Sequence, residues 1–78
     1  MKMHVISKSN DVLAGFRLAG VVGTNVRNEK QLEDCLELLL GDSDTGIILI
    51  SQDVYEMGKD IIAHRMRDRR LPLLVTIE

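Results

Sequence analysis

Gly46-Ile47-Ile48-Leu49-Ile50 is the stretch whose reading decides the fold. Five consecutive residues without a polar alternate cannot serve a sheet that has one wet face. Such a run suits a central strand of a parallel sheet, covered on both sides. Gly41-Asp42-Ser43-Asp44 punctuates the chain before it, and Ser51-Gln52 does so after it. Upstream, Asn28 has the character of an N-cap and Glu29 suits a first helical turn. Leu32, Cys35, Leu36 and Leu39 then recur at the i, i+3, i+4, i+7 spacing of an amphipathic helix. Downstream, Val54, Met57, Gly58, Ile61, Ile62 and the stem of Arg65 share one face of a third helical pattern, read as continuous. Pro72 ends any helix, and Leu73 to Ile77 predicts a fourth strand, expected to be buried.

Toward the N-terminus, Met3 to Ile6 predicts a first strand, closed by the polar cluster Ser7 to Asp11. Ser9, Asn10 or Asp11 caps a short helix with Val12, Leu13, Phe16 and Ala19 on one face and Gly20 as its stop. Val21 to Val26 is a weaker strand in which Gly23 marks a bulge or bend. The element order is β-α-β-α-β-α-β. With right-handed crossovers it predicts a Rossmann-like three-layer α/β fold: a four-stranded parallel sheet of order 2-1-3-4 and three helices. Strands one and three are expected at the centre, within a single domain spanning 1–78.

Composition narrows the function. At 45% apolar and 28% charged the chain is an ordinary globular domain. A domain of 78 residues buries about 60% of its unfolded surface, so a binding partner would add materially to its stability. The net charge of -2 and the presence of only Phe16 and Tyr55 as aromatics argue against nucleic acid as a partner. Cys35 is the one cysteine, which points to a reducing compartment and a cytoplasmic location. Apolar runs are too short to span a bilayer, so no direct membrane insertion is expected, although docking on a membrane complex remains open.

Doubly wound folds bind ligands beyond the C-terminal ends of their strands. Ser7 to Asp11 holds no glycine and so lacks the dinucleotide fingerprint. Gly15 and Gly20 have the first spacing of a phosphate-binding loop, but Val21 and Val22 stand where Lys and Ser/Thr belong. No cofactor, catalytic residue or metal ligand set is expected. Asp11 and Asp53 are read as helix caps and first-turn charges rather than as a shared cation site. Cys35, His4, His64, Met57 and Met66 are read as structural. Arg65, Arg67, Arg69 and Arg70 place four cations within six residues, a concentration beyond what a helix C-terminus explains, and they are a candidate contact surface.

Asp11-Val-Leu-Ala-Gly-Phe-Arg-Leu-Ala-Gly20 resembles the D-x-x-x-G-F-R-L-A-G signature of the F subunit of archaeal and vacuolar-type rotary ATPases. The likeness continues in Gly46 to Ile50 and in Arg67-x-x-x-Leu-Pro-Leu-Leu-Val75, and it covers essentially the whole chain. The resemblance implies a non-catalytic central-stalk component of a proton- or sodium-translocating ATP synthase or ATPase. It would dock on the coiled-coil rotor, the D subunit, peripheral to the cell membrane, and help couple or regulate ATP turnover. Family members usually continue past the fourth strand into a C-terminal helix that reaches the nucleotide-binding A and B subunits. Nothing follows Glu78 here, so the expectation is a truncated N-terminal domain, with a natural short form as the alternative. Gly15 is expected to let helix one approach the sheet, with Phe16 and Leu18 filling core. Arg17, pointing outward, is the leading contact candidate of that helix. The alternatives are a receiver-like signalling domain and a small-ligand-binding or enzymatic α/β module.

Overall fold

The computed structural model describes all residues, Met1–Glu78. In chain order the elements are β1 (Lys2–Ser7), α1 (Asn10–Leu18), β2 (Val22–Asn25), α2 (Glu29–Leu40), β3 (Thr45–Ser51), α3 (Gln52–Met57), α4 (Lys59–Met66) and β4 (Leu73–Ile77). The four strands form one parallel sheet in the order β2-β1-β3-β4. The expected fold class, strand order and central pair are thus observed. Ile48 and Ile50 of β3 are fully buried and Leu49 is nearly so, which is the two-sided burial that the apolar run requires.

Right-handed crossovers distribute the helices unequally. The main core lies on one face, where Ile6, Ile48 and Ile50 of the sheet meet Leu32, Cys35, Leu36 and Leu39 of α2, Val54 of α3 and Ile62 of α4. The opposite face has a smaller core of Val5, Leu13 and Leu49, with Phe16, Val21, Ile47 and Ile77 packed around it. Only α1 covers that side, and it lies against β1 and β2. The fourth strand is therefore not the buried strand expected from its composition. It is an edge strand, with Leu73 55% and Val75 45% exposed.

The third helical pattern is also not continuous. It divides at Gly58 into α3 and α4. Gly58 is buried against Leu32 of α2, and a side chain there would collide with the Leu32 methyl group. Its φ of -116° leaves the helical range, although Gly58 N–H still bonds Val54 O at 3.1 Å and Gly58 O accepts from Ile62 N–H at 2.9 Å.

Two other glycines have roles different from those expected. Gly23 is not a bulge, because it pairs in register with Val5. A Cβ at this position would lie 2.6 Å from both Leu13 Cδ2 and Val5 Cγ1, so the absent side chain of Gly23 is what brings α1 onto the sheet. Gly15 does not have that role: a Cβ there would meet nothing within 4 Å. Leu18 does not fill core either, being 93% exposed, and Ala19 is exposed as well.

The ends of α1 follow the sequence closely. Ser9 Oγ accepts from Val12 N–H at 3.2 Å as N-cap. At the other end Gly20 N–H bonds Arg17 O and Val21 N–H bonds Phe16 O, both at 2.9 Å, with Gly20 at φ 86°. This is the Schellman arrangement, and Phe16 and Val21 supply its apolar contact against the smaller core. Asn28 Oδ1 likewise caps α2, accepting from Gln31 N–H at 2.8 Å.

These assignments predict opposite outcomes for two alanine substitutions in one signature. Gly20→Ala forces a side chain into the left-handed region and should cost about 1 kcal/mol. Gly15→Ala, in open space within a helix, should stabilise by about 0.5–1 kcal/mol. Thermal denaturation of the two variants checks both signs.

Candidate interaction surfaces

The crevice beyond the strand ends, at the switch point between β1 and β3, is where this fold class takes ligands. Here its polar groups bond one another. Ser7 Oγ accepts from Ser9 N–H at 3.0 Å. Asn25 Nδ2 donates to Asn10 Oδ1 at 2.8 Å and to Lys8 O at 3.2 Å. Asp53 Oδ1 accepts from Ser51 Oγ and from Val54 N–H, both at 2.8 Å, tying the carboxylate into the start of α3. Asp11 is an exposed first-turn acid of α1. No three His, Cys, Asp or Glu side chains gather in a geometry that could hold a metal ion.

On the α2 side of the sheet, His4 Nε2 lies 2.8 Å from Thr24 Oγ1. Burial holds the His4 pKa below its ordinary value, and the Lys2 charge adds to the effect. Cys35, 7% exposed, faces the same recess. Burial pushes its thiol pKa up, against a smaller opposing effect of its hydrogen bond with Thr24, so it is a poor nucleophile. A shallow groove of about 660 Å³ runs past Met1, Met3, His4, Val21, Val22 and Leu38. Leu38 is 77% exposed and Val22 66%.

The structure separates the arginine candidates into three settings. Arg17 is exposed on α1. Asn10, seven residues earlier and so on the same flank of the helix, bonds Asn25, which places that flank over β2. Arg65 is half-buried and its Nη2 lies 3.2 Å from Glu33 Oε2, joining α4 to α2. Arg67, Arg69 and Arg70 are exposed and form no ion pair. They occupy the turn into β4, where Asp68 at φ 61° reverses the chain. Arg17 and the Arg67–Arg70 turn are thus separate surfaces.

The sequence reading missed the open sheet face beside α1. Strand register places Met3, Ile47 and Leu73 in one row and Val5, Leu49 and Val75 in the next, with Ile77 above. Of these, Met3 is 41% exposed, beside the exposures already noted for Leu73 and Val75. The signal was available: order 2-1-3-4 with right-handed crossovers puts a single helix on this side, over β1 and β2, so that β3 is only partly covered and β4 is left open.

Comparison with known proteins supplies relationships. Residues 3–78 match the family model described as ATP synthase (F/14-kDa) subunit. The chain is 30% identical over 77 residues to the F subunit of the A-type ATP synthase of Methanococcoides burtonii, covering 99% of this chain and 77% of that one. It is 43% identical over 54 residues to the F subunit of the A-type ATP synthase of Methanocella arvoryzae, covering 68% of this chain and 54% of the relative. The crystal structure of the V-type ATP synthase F subunit from Archaeoglobus fulgidus superposes with a TM-score of 0.79 over 99% of this chain and 96% of that one. At 19% identity, that match is a likeness of fold.

The His4 environment generates a pH prediction. A histidine whose folded pKa lies below its unfolded value of about 6.5 contributes stability that is complete above that value and is lost as pH falls through the folded pKa. The melting temperature should therefore decline as pH falls below about 6.5, and His4→Gln should flatten that decline. Melting curves of both proteins across this range test it.

Proposed function

Because the chain belongs to the ATP synthase (F/14-kDa) subunit family, which includes the F subunits of A-type ATP synthases, we propose that it acts as a non-catalytic component of the central stalk. In this reading it docks on the coiled-coil rotor, the D subunit, and turns with it, while other subunits make or hydrolyse ATP and ions cross the membrane. The observation that carries the proposal is the family match across residues 3–78, which takes in all of the sheet but Lys2 at the start of β1. The crevice supports it, since the groups that would greet a nucleotide are engaged in caps and turns. No helix of the chain is long and apolar enough to cross a membrane, in keeping with a place in the stalk.

Arg17 and the Arg67–Arg69–Arg70 turn are the charged contacts assigned to this role. Arg65 is assigned a lesser part because Glu33 already holds it. Contacts with the nucleotide-binding A and B subunits are assigned to the segment that follows the fourth strand in the family. The present chain spans 77% and 54% of the lengths of its two curated relatives.

Titrating the isotopically labelled chain with the purified coiled-coil rotor, and following backbone amide shifts, tests the reading. Saturable shifts confined to a contiguous surface are expected. A folded chain whose spectrum is unmoved at high partner concentration would contradict it.

A further inference from the structure

The uncovered half of the sheet has the dimensions, lining and charge of a helix-binding site. Resting on the reading that a coiled-coil rotor holds this chain, we propose that the face of β3 and β4 beside α1 receives one amphipathic α-helix of that partner. The helix lies antiparallel to the strands.

The dimensions follow from regular geometry. Two strands about 4.8 Å apart present a strip close to the 8–10 Å spacing at which a helix packs. The five residues of β4 extend about 17 Å, or roughly three helical turns. The floor of this strip is apolar along its length: the exposed Leu73 and Val75 on β4, flanked by the half-buried Ile47 and Ile77, with the buried Leu49 closing its α1 side. Such a floor fits an i, i+3/i+4, i+7 stripe.

The wall of the strip is α1. Its Asn10 flank is committed to β2, so the opposite flank, bearing Val12, Gly15 and Ala19, borders the open strip. Gly15 is a helix-interior glycine that no neighbour within the chain requires, since a Cβ there would meet nothing within 4 Å. A second helix laid against this flank gives that absence a purpose, because small side chains allow helices to approach closely.

Charge sets the direction. At the N-terminal ends of these strands the exposed Arg67, Arg69 and Arg70 outnumber Asp44 and Asp68. At the C-terminal ends stand the exposed acids Asp11, Asp53 and Glu78, with Lys8 the one cation of the β1–α1 turn. A helix running antiparallel to the strands, as α1 does, sets its positive N-terminal end toward the acids and its negative C-terminal end toward the arginines. The partner segment is therefore expected to carry Asp or Glu near its C-terminal end.

The test measures affinity for the purified coiled-coil rotor by calorimetry. The variants are Leu73→Ser/Val75→Thr, Gly15→Leu and, on the exposed side of α2 across the sheet, Leu38→Ser. Gly15→Leu places its side chain in space that is open in the free chain, so its melting temperature should match or exceed that of the unmodified chain. Both this variant and Leu73→Ser/Val75→Thr should bind about tenfold or more weakly. Leu38→Ser should bind normally. Normal binding by the strip variants, or weakening only with Leu38→Ser, overturns the site while leaving the stalk role intact. No binding by the unmodified chain overturns both. Sedimentation equilibrium of the chain alone adds one further outcome: a dimer dispersed by Leu73→Ser/Val75→Thr would assign the strip to a second copy and overturn the partner helix.

Discussion

Two-sided burial of β3 is the constraint on which the rest of the structure depends. Ile48 and Ile50 need a layer on one side of the sheet and Leu49 needs one on the other, so neither face can be left wholly to water. Satisfying both requires helices on both sides, and parallel strands joined by right-handed crossovers are the direct way to place them. The elements present complete only one of the two layers. Three helices close one face, and α1 alone half-closes the other. The exposure of Leu73 and Val75 is thus a consequence of topology, and a surface that a partner can use is generated by the same rule that generates the core.

That asymmetry suits the proposed stalk role. A domain of this size gains stability by binding, and its incomplete layer is where burial of apolar surface remains to be gained. The polar crevice beyond the strand ends is, by contrast, knitted by Ser7, Asn10, Asn25, Ser51 and Asp53 into the starts of helices and the turns around them. The polar groups of the crevice thus bond one another, while the apolar surface left open lies on the flank beside α1.

Much of this was legible in the sequence because it was local. Ser9, Asn28 and Gly20 act within a turn of their own helices, and each does what its residue type favours. The run Gly46 to Ile50 carries its environment in its composition, and with the apolar first strand and the crossover rule it ordered the sheet. What escaped depends on neighbours distant in the chain. The lack of room for a side chain at Gly58 comes from Leu32, and at Gly23 from Leu13 and Val5. Arg65 looks free until Glu33 arrives from another helix. The five apolar-rich residues of β4 resemble a buried strand, and only the count of helices on each face reveals otherwise. The arginines of the β4 turn were found by their crowding. The strip beside them was not, because its residues alternate along strands that meet only in the folded sheet.

Hydrogen exchange of the β4 amides, compared between the free chain and its complex with the coiled-coil rotor, bears most directly on the uncovered strip. β4 and the Gly15 region of α1 should gain protection on assembly, while the outer surfaces of α2 and α4 exchange as before. Protection confined to α2 and α4, with β4 unchanged, would contradict a partner helix on this face.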